Sequence, residues 1–198
     1  MKSPPLSNYK HQAIRTVHFF GLLVLVAYPF AVWFGLSHEK GYWLIALLCL
    51  VFILRLALLR GHLKEWVGFG KVLAGFGFAL CVASVLLKDF QLLLYYPVLM
   101  NVLLLVLFGS SLFGTKSFVE RLARLQKPDL PPAAVIYTRH VTMFWCLFFI
   151  INGSIALATC LYGSMQLWAL YNGLISYILI GLLMAAEWIV RKRVGKHS

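Results

Sequence analysis

The chain has 198 residues, of which 62% are hydrophobic and only 12% are charged, and its formal net charge at pH 7 is +12. A soluble domain of this size is nearer half apolar and a quarter charged, so the composition argues against an ordinary water-soluble domain. The positive charge would suit a nucleic-acid-binding protein, but the placement of the cations indicates a membrane topology instead.

Most of the apolar residues lie in six blocks whose length suits a membrane-crossing helix. A bilayer core about 30 Å thick needs roughly 20 residues of helix. Helices are expected because lipid offers no hydrogen-bond partner to a bare backbone N–H or C=O group. We therefore predict an all-α polytopic membrane protein that forms a single domain over residues 1–198. The six predicted spans are Val17–Ser37, Tyr42–Leu59, Val67–Leu87, Phe90–Gly114, His140–Tyr162 and Leu167–Val190.

The Lys and Arg residues are distributed unevenly between the two sides that these spans define. Of the 18 Lys and Arg residues, all except Lys40 and Lys88 fall on one side. Short loops rich in Lys and Arg remain in the cytoplasm, so both termini are predicted to face the cytoplasm. The remaining role of these cations is attraction to anionic lipid headgroups, which makes membrane lipids expected partners and nucleic acid an unexpected one.

The third span is rich in small residues. Gly70–Ala74, Gly75–Ala79 and Ala79–Ala83 are small-xxx-small pairs, which allow two helix backbones to approach closely. Such packing can occur within one chain or between two copies, so the sequence leaves a homo-oligomer open.

The loop between spans four and five, residues 115–139, is the one sizeable stretch predicted to lie in the cytoplasm. Within it, Phe118, Leu122 and Leu125 recur at i, i+4 and i+7, which indicates an amphipathic helix over Lys116–Leu125. The charged residues of this segment fall on the other face of the predicted helix. A proline-rich turn then ends the helix, because proline lacks an N–H donor and disfavours helix in the residue before it.

Three roles remain open for this loop. It can lie in the lipid headgroup layer, present a docking surface to a protein partner, or serve as a solvated connector between two helical hairpins. The residues expected to carry the docking contact are Glu120, Arg121, Arg124 and Asp129.

Polar residues inside the predicted spans are costly and therefore informative. Asn101, Asn152 and Asn172 lie in spans four, five and six, respectively. They can line a polar cavity, or they can form hydrogen bonds between helices worth about 1 kcal/mol each.

Glu187 is the one acidic residue inside a predicted span, near the cytoplasmic end of span six, and Arg55 lies at a matching depth in span two. A buried Arg55–Glu187 pair is one interpretation. In the other, Arg55 extends to the membrane surface and Glu187 pairs with Arg191 or Lys192.

The sequence carries no motif of a soluble enzyme class and no spacing typical of a metal site. The four cysteines all lie in apolar blocks without a CxxC pair, so they are interpreted as packing residues. We predict a protein that is not an enzyme and needs no cofactor or metal.

The second half of the chain contains six motifs that resemble known families: Pro97–Asn101, Ser117–Leu125, Asp129–Pro132, Tyr137–Arg139, Trp145–Gly153 and Trp168–Gly173. Together they resemble an uncharacterised family of bacterial inner-membrane proteins over residues 95–193. Members of that family are often encoded beside fatty-acid-synthase-like genes for aryl-polyene pigments, and some carry misleading DNA gyrase names. A more distant resemblance is to the intracellular septation protein A family, which implies an envelope protein without known catalysis.

The sequence and this resemblance together give two functional hypotheses. The first is a non-enzymatic inner-membrane accessory of cell-envelope or polyene-like lipid biosynthesis, which docks a protein partner through its basic cytoplasmic loop. The second is a small transporter or flippase for a lipid-like substrate, whose path is lined by Asn101, Asn152, Asn172 and Glu187.

Overall fold

A computed structural model of the protein describes residues 29–35, 41–58, 64–162 and 164–194. All the regular structure in these ranges is helical, which confirms the predicted all-α class for the described part of the chain. A 3₁₀ helix, Phe90–Tyr95, precedes α4, and a π-helical turn, Tyr171–Ile175, joins α7 to α8. The helices are α1 (described over residues 29–35), α2 (Gly41–Leu58), α3 (Lys64–Leu86), α4 (Tyr96–Leu112), α5 (Phe118–Gln126), α6 (Pro132–Leu161), α7 (Met165–Leu170) and α8 (Ser176–Val194).

Within the described residues, three helical stretches are long and apolar enough to cross a membrane: Gln91–Leu112, Pro132–Leu161 and Met165–Lys192. They coincide with the fourth, fifth and sixth predicted spans. Helices α2 and α3 contain shorter apolar stretches, Ile45–Leu54 and Gly70–Leu86. The first predicted span lies outside the described residues except for α1.

The fifth and sixth predicted spans each differ from the structure in one main respect. Helix α6 begins at Pro132 rather than at His140, so the connection before it is shorter than the predicted loop of residues 115–139. Proline suits the first turn of a helix because its φ angle is already helical and its missing N–H would have no partner there. Span six is interrupted by the π-helical turn at Tyr171–Ile175, where a continuous helix was predicted.

The chain packs as two compact units that divide between Leu93 and Leu94. In the first unit, α2 and α3 pack against each other. Phe52 of α2 and Cys81 of α3 are buried in this unit. The side chain of Phe52 covers Gly77, where an added Cβ atom would overlap the tip of its ring. The absence of a side chain at Gly77 therefore creates the space that this aromatic ring occupies.

In the second unit, α4, α6 and α8 run in alternating directions. At one end, the Arg139 guanidinium donates to the Leu112 carbonyl (3.0 Å), which joins the start of α6 to the end of α4. At the same end, the Tyr137 hydroxyl donates to the Glu187 carbonyl of α8 (3.3 Å). At the opposite end, the indole N–H of Trp168 donates to the Leu94 carbonyl (3.0 Å), ahead of α4. These bonds fix which helix ends lie together.

Candidate functional site

One end of the second unit carries all of its described charges. Residues 90–115 and 141–186 contain no Asp, Glu, Lys or Arg, so the apolar lengths of α4, α6 and α8 are free of charge. The charged end is formed by the end of α4, by α5 with the turn that follows it, by the start of α6 and by the end of α8. The cations whose side chains the structure describes there are Lys116, Arg121, Arg124, Lys127, Arg139, Arg191 and Lys192.

Helix α5 is attached to the unit through its first amide groups, which have no partner within the helix. Ser117 caps it, with its hydroxyl accepting from the Glu120 amide (3.4 Å). The Phe118 amide donates to the Ser111 hydroxyl of α4 (2.9 Å). The Val119 amide donates to the Thr142 hydroxyl of α6 (3.3 Å). Two of these bonds come from neighbouring helices, so the start of α5 is held at a defined position on the unit.

An aromatic cluster supports the same attachment. The Phe118 ring lies 4.1 Å from the Phe108 ring of α4, measured between centroids. Phe108 in turn packs edge-on against Phe149 of α6, at 5.1 Å, and Trp145 lies 5.7 Å from Phe149. Aromatic pairs in such geometries are worth about 0.5–1.5 kcal/mol beyond their buried area. Helix α5 is thus fixed by packing as well as by hydrogen bonds.

Glu120 forms the i, i+4 pair with Arg124 that the sequence favours, but it is buried, whereas a docking residue is expected to be exposed. Its side chain is only 5% exposed, and its carboxylate accepts from the Arg124 guanidinium at 2.8 Å. The same guanidinium donates to the Pro128 carbonyl (2.8 Å), which ties the proline turn to α5. Glu120 is therefore a buried anchor for Arg124. The exposed charges of the predicted docking set are Arg121 and Asp129.

Replacing Glu120 by alanine is expected to loosen α5 and the turn after it. The Arg124 guanidinium loses its carboxylate, and a bond to a charged group is worth about 1.5–3 kcal/mol when buried. Because Arg124 is 28% exposed, we expect a smaller loss of about 1 kcal/mol. Hydrogen exchange of the α5 amides should become faster. Asp129→Ala, which removes an exposed carboxylate from the same segment, is the control, and equal exchange in both variants would contradict the anchoring role.

The predicted asparagines lie at the opposite half of the unit, and two of them are directly bonded. The Asn152 amide of α6 donates to the Asn101 carbonyl oxygen of α4 (3.0 Å). The Asn152 carbonyl oxygen accepts from the Tyr171 hydroxyl in the π-helical turn (2.9 Å). The Asn101 amide donates to the backbone carbonyl of Pro97 (2.8 Å). Beside them, Gly153 allows the close approach of α4, because an added Cβ atom would lie 3.0 Å from the Asn101 Cβ atom.

Asn172 belongs to a neighbouring group of bonds. Its amide donates to the Thr159 hydroxyl (3.1 Å) and to the Trp168 carbonyl (3.0 Å). In the described part of the chain, no buried side-chain nitrogen or oxygen lacks a hydrogen-bond partner. The three amides are thus engaged in bonds to other protein groups.

Glu187 lies at the charged end, apart from the asparagines. Its carboxylate is 3.8 Å from the Arg191 guanidinium, one turn further along α8, and its side chain is 22% exposed. Lys192 instead lies over the Trp188 ring, 3.6 Å from its centroid. The Arg55 side chain lies outside what the structure describes, so the predicted Arg55–Glu187 pair stays a prediction.

Several groups that build these contacts were not among the predicted site residues, namely Ser111, Ser117, Thr142, Thr159 and Tyr171. One of them had a local signal, because Ser117-x-x-Glu120 is a capping-box pattern at the start of an amphipathic segment. The others are single Ser, Thr or Tyr residues within apolar helices. Their partners lie on other helices, and no sequence spacing predicts them.

Comparison of the chain with models of protein families, with curated proteins and with solved structures finds no match in any of the three. The fold itself defines a general class, an all-helical protein whose described part includes three helices long and apolar enough to cross a membrane.

Proposed function

We propose that the chain is a non-enzymatic accessory protein of a bacterial inner membrane, which docks a protein partner of cell-envelope or polyene-like lipid biosynthesis. It crosses the membrane six times, with both ends of the chain in the cytoplasm. The biosynthetic context rests on the family resemblance of residues 95–193, and the orientation rests on the concentration of Lys and Arg on one side of the spans.

The observation that carries the docking proposal is the rigid attachment of α5. A helix held by bonds from Ser111 and Thr142 and by the Phe118–Phe108 contact presents its exposed side chains in a fixed arrangement. Binding to such a preorganised surface costs less conformational entropy than binding to a mobile loop. A connector that merely spans two helices has no need of this anchoring.

The exposed charges define the chemistry of the partner. Arg121 and Lys127 are exposed, and the Glu120 carboxylate is buried and bonded to Arg124. An acidic protein surface at the membrane therefore complements this side of α5, and Asp129 adds a single acceptor beside it. Complementary charge contributes to specificity and to the rate of association.

Reversing the charge of both Arg121 and Lys127 to Glu is expected to abolish partner binding while the protein remains folded and inserted. Arg124 is left unchanged in this test, because a carboxylate at that position would face Glu120 and disturb α5. The measurement is affinity purification of the full chain from native membranes in mild detergent, with the bound proteins identified by mass spectrometry, alongside complementation of a deletion strain.

The control is the charge-conserving variant R121K/K127R, which should retain both the partner and complementation. Recovery of the same biosynthetic protein with R121E/K127E, together with full complementation, would rule out docking through these cations.

A further inference from the structure

The exposed face of α5 is apolar as well as basic. Leu122 is 36% exposed and Leu125 is 52% exposed. At about 100° per residue they lie roughly 60° apart on the helix, so they share one face. The opposite face, which includes Glu120, is turned toward the protein. On the leucine side, Phe118 packs on Phe108 of α4 at the start of the helix, so the exposed part of this face is the part beyond Phe118. Phe113, just after the end of α4, is 94% exposed at the same end of the unit. Large apolar side chains are therefore uncovered beside the charged end of the membrane-capable helices.

Cations surround the connection between α4 and α5. The Arg139 guanidinium bonds the Leu112 carbonyl, and the Arg121 Nε–H bonds the Lys116 carbonyl (3.2 Å). Two guanidinium groups thus lie at carbonyls only a few residues apart, and Lys116 itself is exposed. Guanidinium groups bind phosphate oxygens through several N–H donors at once. This connection, which we call the α4–α5 corner (residues 113–117 with Arg121 and Arg139), has the positive charge and the N–H donors that bind a phosphodiester.

The position of α5 in the chain restricts what can cover its apolar face. It begins at Phe118, shortly after α4 ends at Leu112, and the chain enters the next membrane-capable helix at Pro132. Both of its ends are therefore tied to helices that reach the membrane surface. A basic helix with exposed leucines in this position suits the boundary between headgroups and acyl chains.

We infer that α5 lies in the headgroup layer of an anionic bilayer, with Leu122 and Leu125 in the acyl boundary, and that the α4–α5 corner binds the phosphate of an anionic phospholipid through Lys116 and Arg139. The lipid site shares Arg121 with the proposed docking surface, but its test changes Lys116 and Arg139, whereas the docking test changes Arg121 and Lys127, so the two can fail separately. A position in the headgroup layer is favoured over a solvated connector, because a solvated connector would leave Leu122, Leu125 and Phe113 in water.

The test measures lipid retention by the full chain. The protein is purified in detergent with phosphatidylglycerol or with phosphatidylcholine, and bound lipid is counted by native mass spectrometry. The wild-type protein should retain more phosphatidylglycerol than phosphatidylcholine. A cation near an anionic headgroup contributes roughly fivefold in affinity, so K116Q/R139Q should lower the preference by at least that factor. The charge-conserving variant K116R/R139K should keep it.

A second pair of variants tests the apolar face. L122Q/L125Q should lose bound phosphatidylglycerol, whereas L161Q should not, although Leu161 is 70% exposed at the opposite end of α6. For the wild-type protein in nanodiscs, trypsin cleavage after Arg121 and Arg124 should be slower when the nanodiscs contain phosphatidylglycerol than when they contain phosphatidylcholine alone. If the leucine variant does not fold, the cation variants and the cleavage rates still decide the question.

Three outcomes would overturn the inference. Equal retention of the two lipids by wild type would remove the anionic headgroup site. Rapid cleavage in both kinds of nanodisc would identify α5 as a solvated connector. Protection of α5 by a co-purified protein, with no dependence on lipid, would assign the leucine face to a protein partner. Loss of lipid preference in K116Q/R139Q with the partner retained would leave the proposed function intact.

Discussion

Replacing Gly77 by alanine is expected to destabilise the packing of α2 against α3. The new Cβ atom would overlap the Cζ, Cε1 and Cε2 atoms of Phe52, whose ring is buried in this interface. The ring has to leave its position or the helices have to separate, and overpacking of this kind costs about 1–3 kcal/mol. The free energy of unfolding, measured by titrating folded protein in mixed micelles with a denaturing detergent, should fall accordingly.

The same helix supplies a matched control, since Gly75 also belongs to the run of small residues but an added Cβ atom there meets nothing within 4 Å. Gly75→Ala should therefore leave the stability almost unchanged. Shortening Phe52 to leucine in the Gly77→Ala background should recover part of the loss. If Gly75→Ala and Gly77→Ala are equally harmless, the Phe52–Gly77 contact does not hold the hairpin together.

Replacing Asn152 by leucine is expected to break the hydrogen bonds that join α4, α6 and the π-helical turn. Leucine has a similar size, so little cavity forms, but the Asn101 carbonyl oxygen loses its donor and the Tyr171 hydroxyl loses its acceptor. Leaving buried polar groups without partners costs about 1–3 kcal/mol. Unfolding in mixed micelles should show this loss, and the double variant N101L/N152L should lose less than the sum of the two single variants.

Ser154→Ala is the control for this experiment, because Ser154 lies on the same helix and its exposed hydroxyl donates to the Ile150 carbonyl of the preceding turn. This variant should leave the free energy of unfolding unchanged. The experiment also separates the two functional hypotheses. If the asparagines line a transport path, Asn152→Leu would abolish transport with no change in stability, and that result would contradict their role as bonds between helices.

Much of the fold follows from the sequence because its causes are local. Three of the apolar blocks form helices long enough to match the thickness of a bilayer, and helices are expected in such blocks because every backbone group has to be paired. Helix α5 was predicted from the spacing of Phe118, Leu122 and Leu125, and the structure begins and ends it within two residues of the predicted bounds. The proline turn ends it as expected, since proline acts on its own neighbours.

The tertiary structure decided which groups meet. A helical period assigns Glu120 to a face but does not say whether that face meets water, lipid or protein, and here it is buried against the unit. Likewise, the sequence shows that Asn101, Asn152 and Asn172 are polar residues in apolar helices. Only the packing of the helices determines that Asn101 and Asn152 are hydrogen-bonded to each other and that Asn172 donates to Thr159. The sequence by itself determined the helices, the concentration of positive charge and the candidate polar residues, because those depend on composition and period. Pairing, burial and the π-helical turn depend on the approach of helices distant in the chain, and only the tertiary structure could decide them.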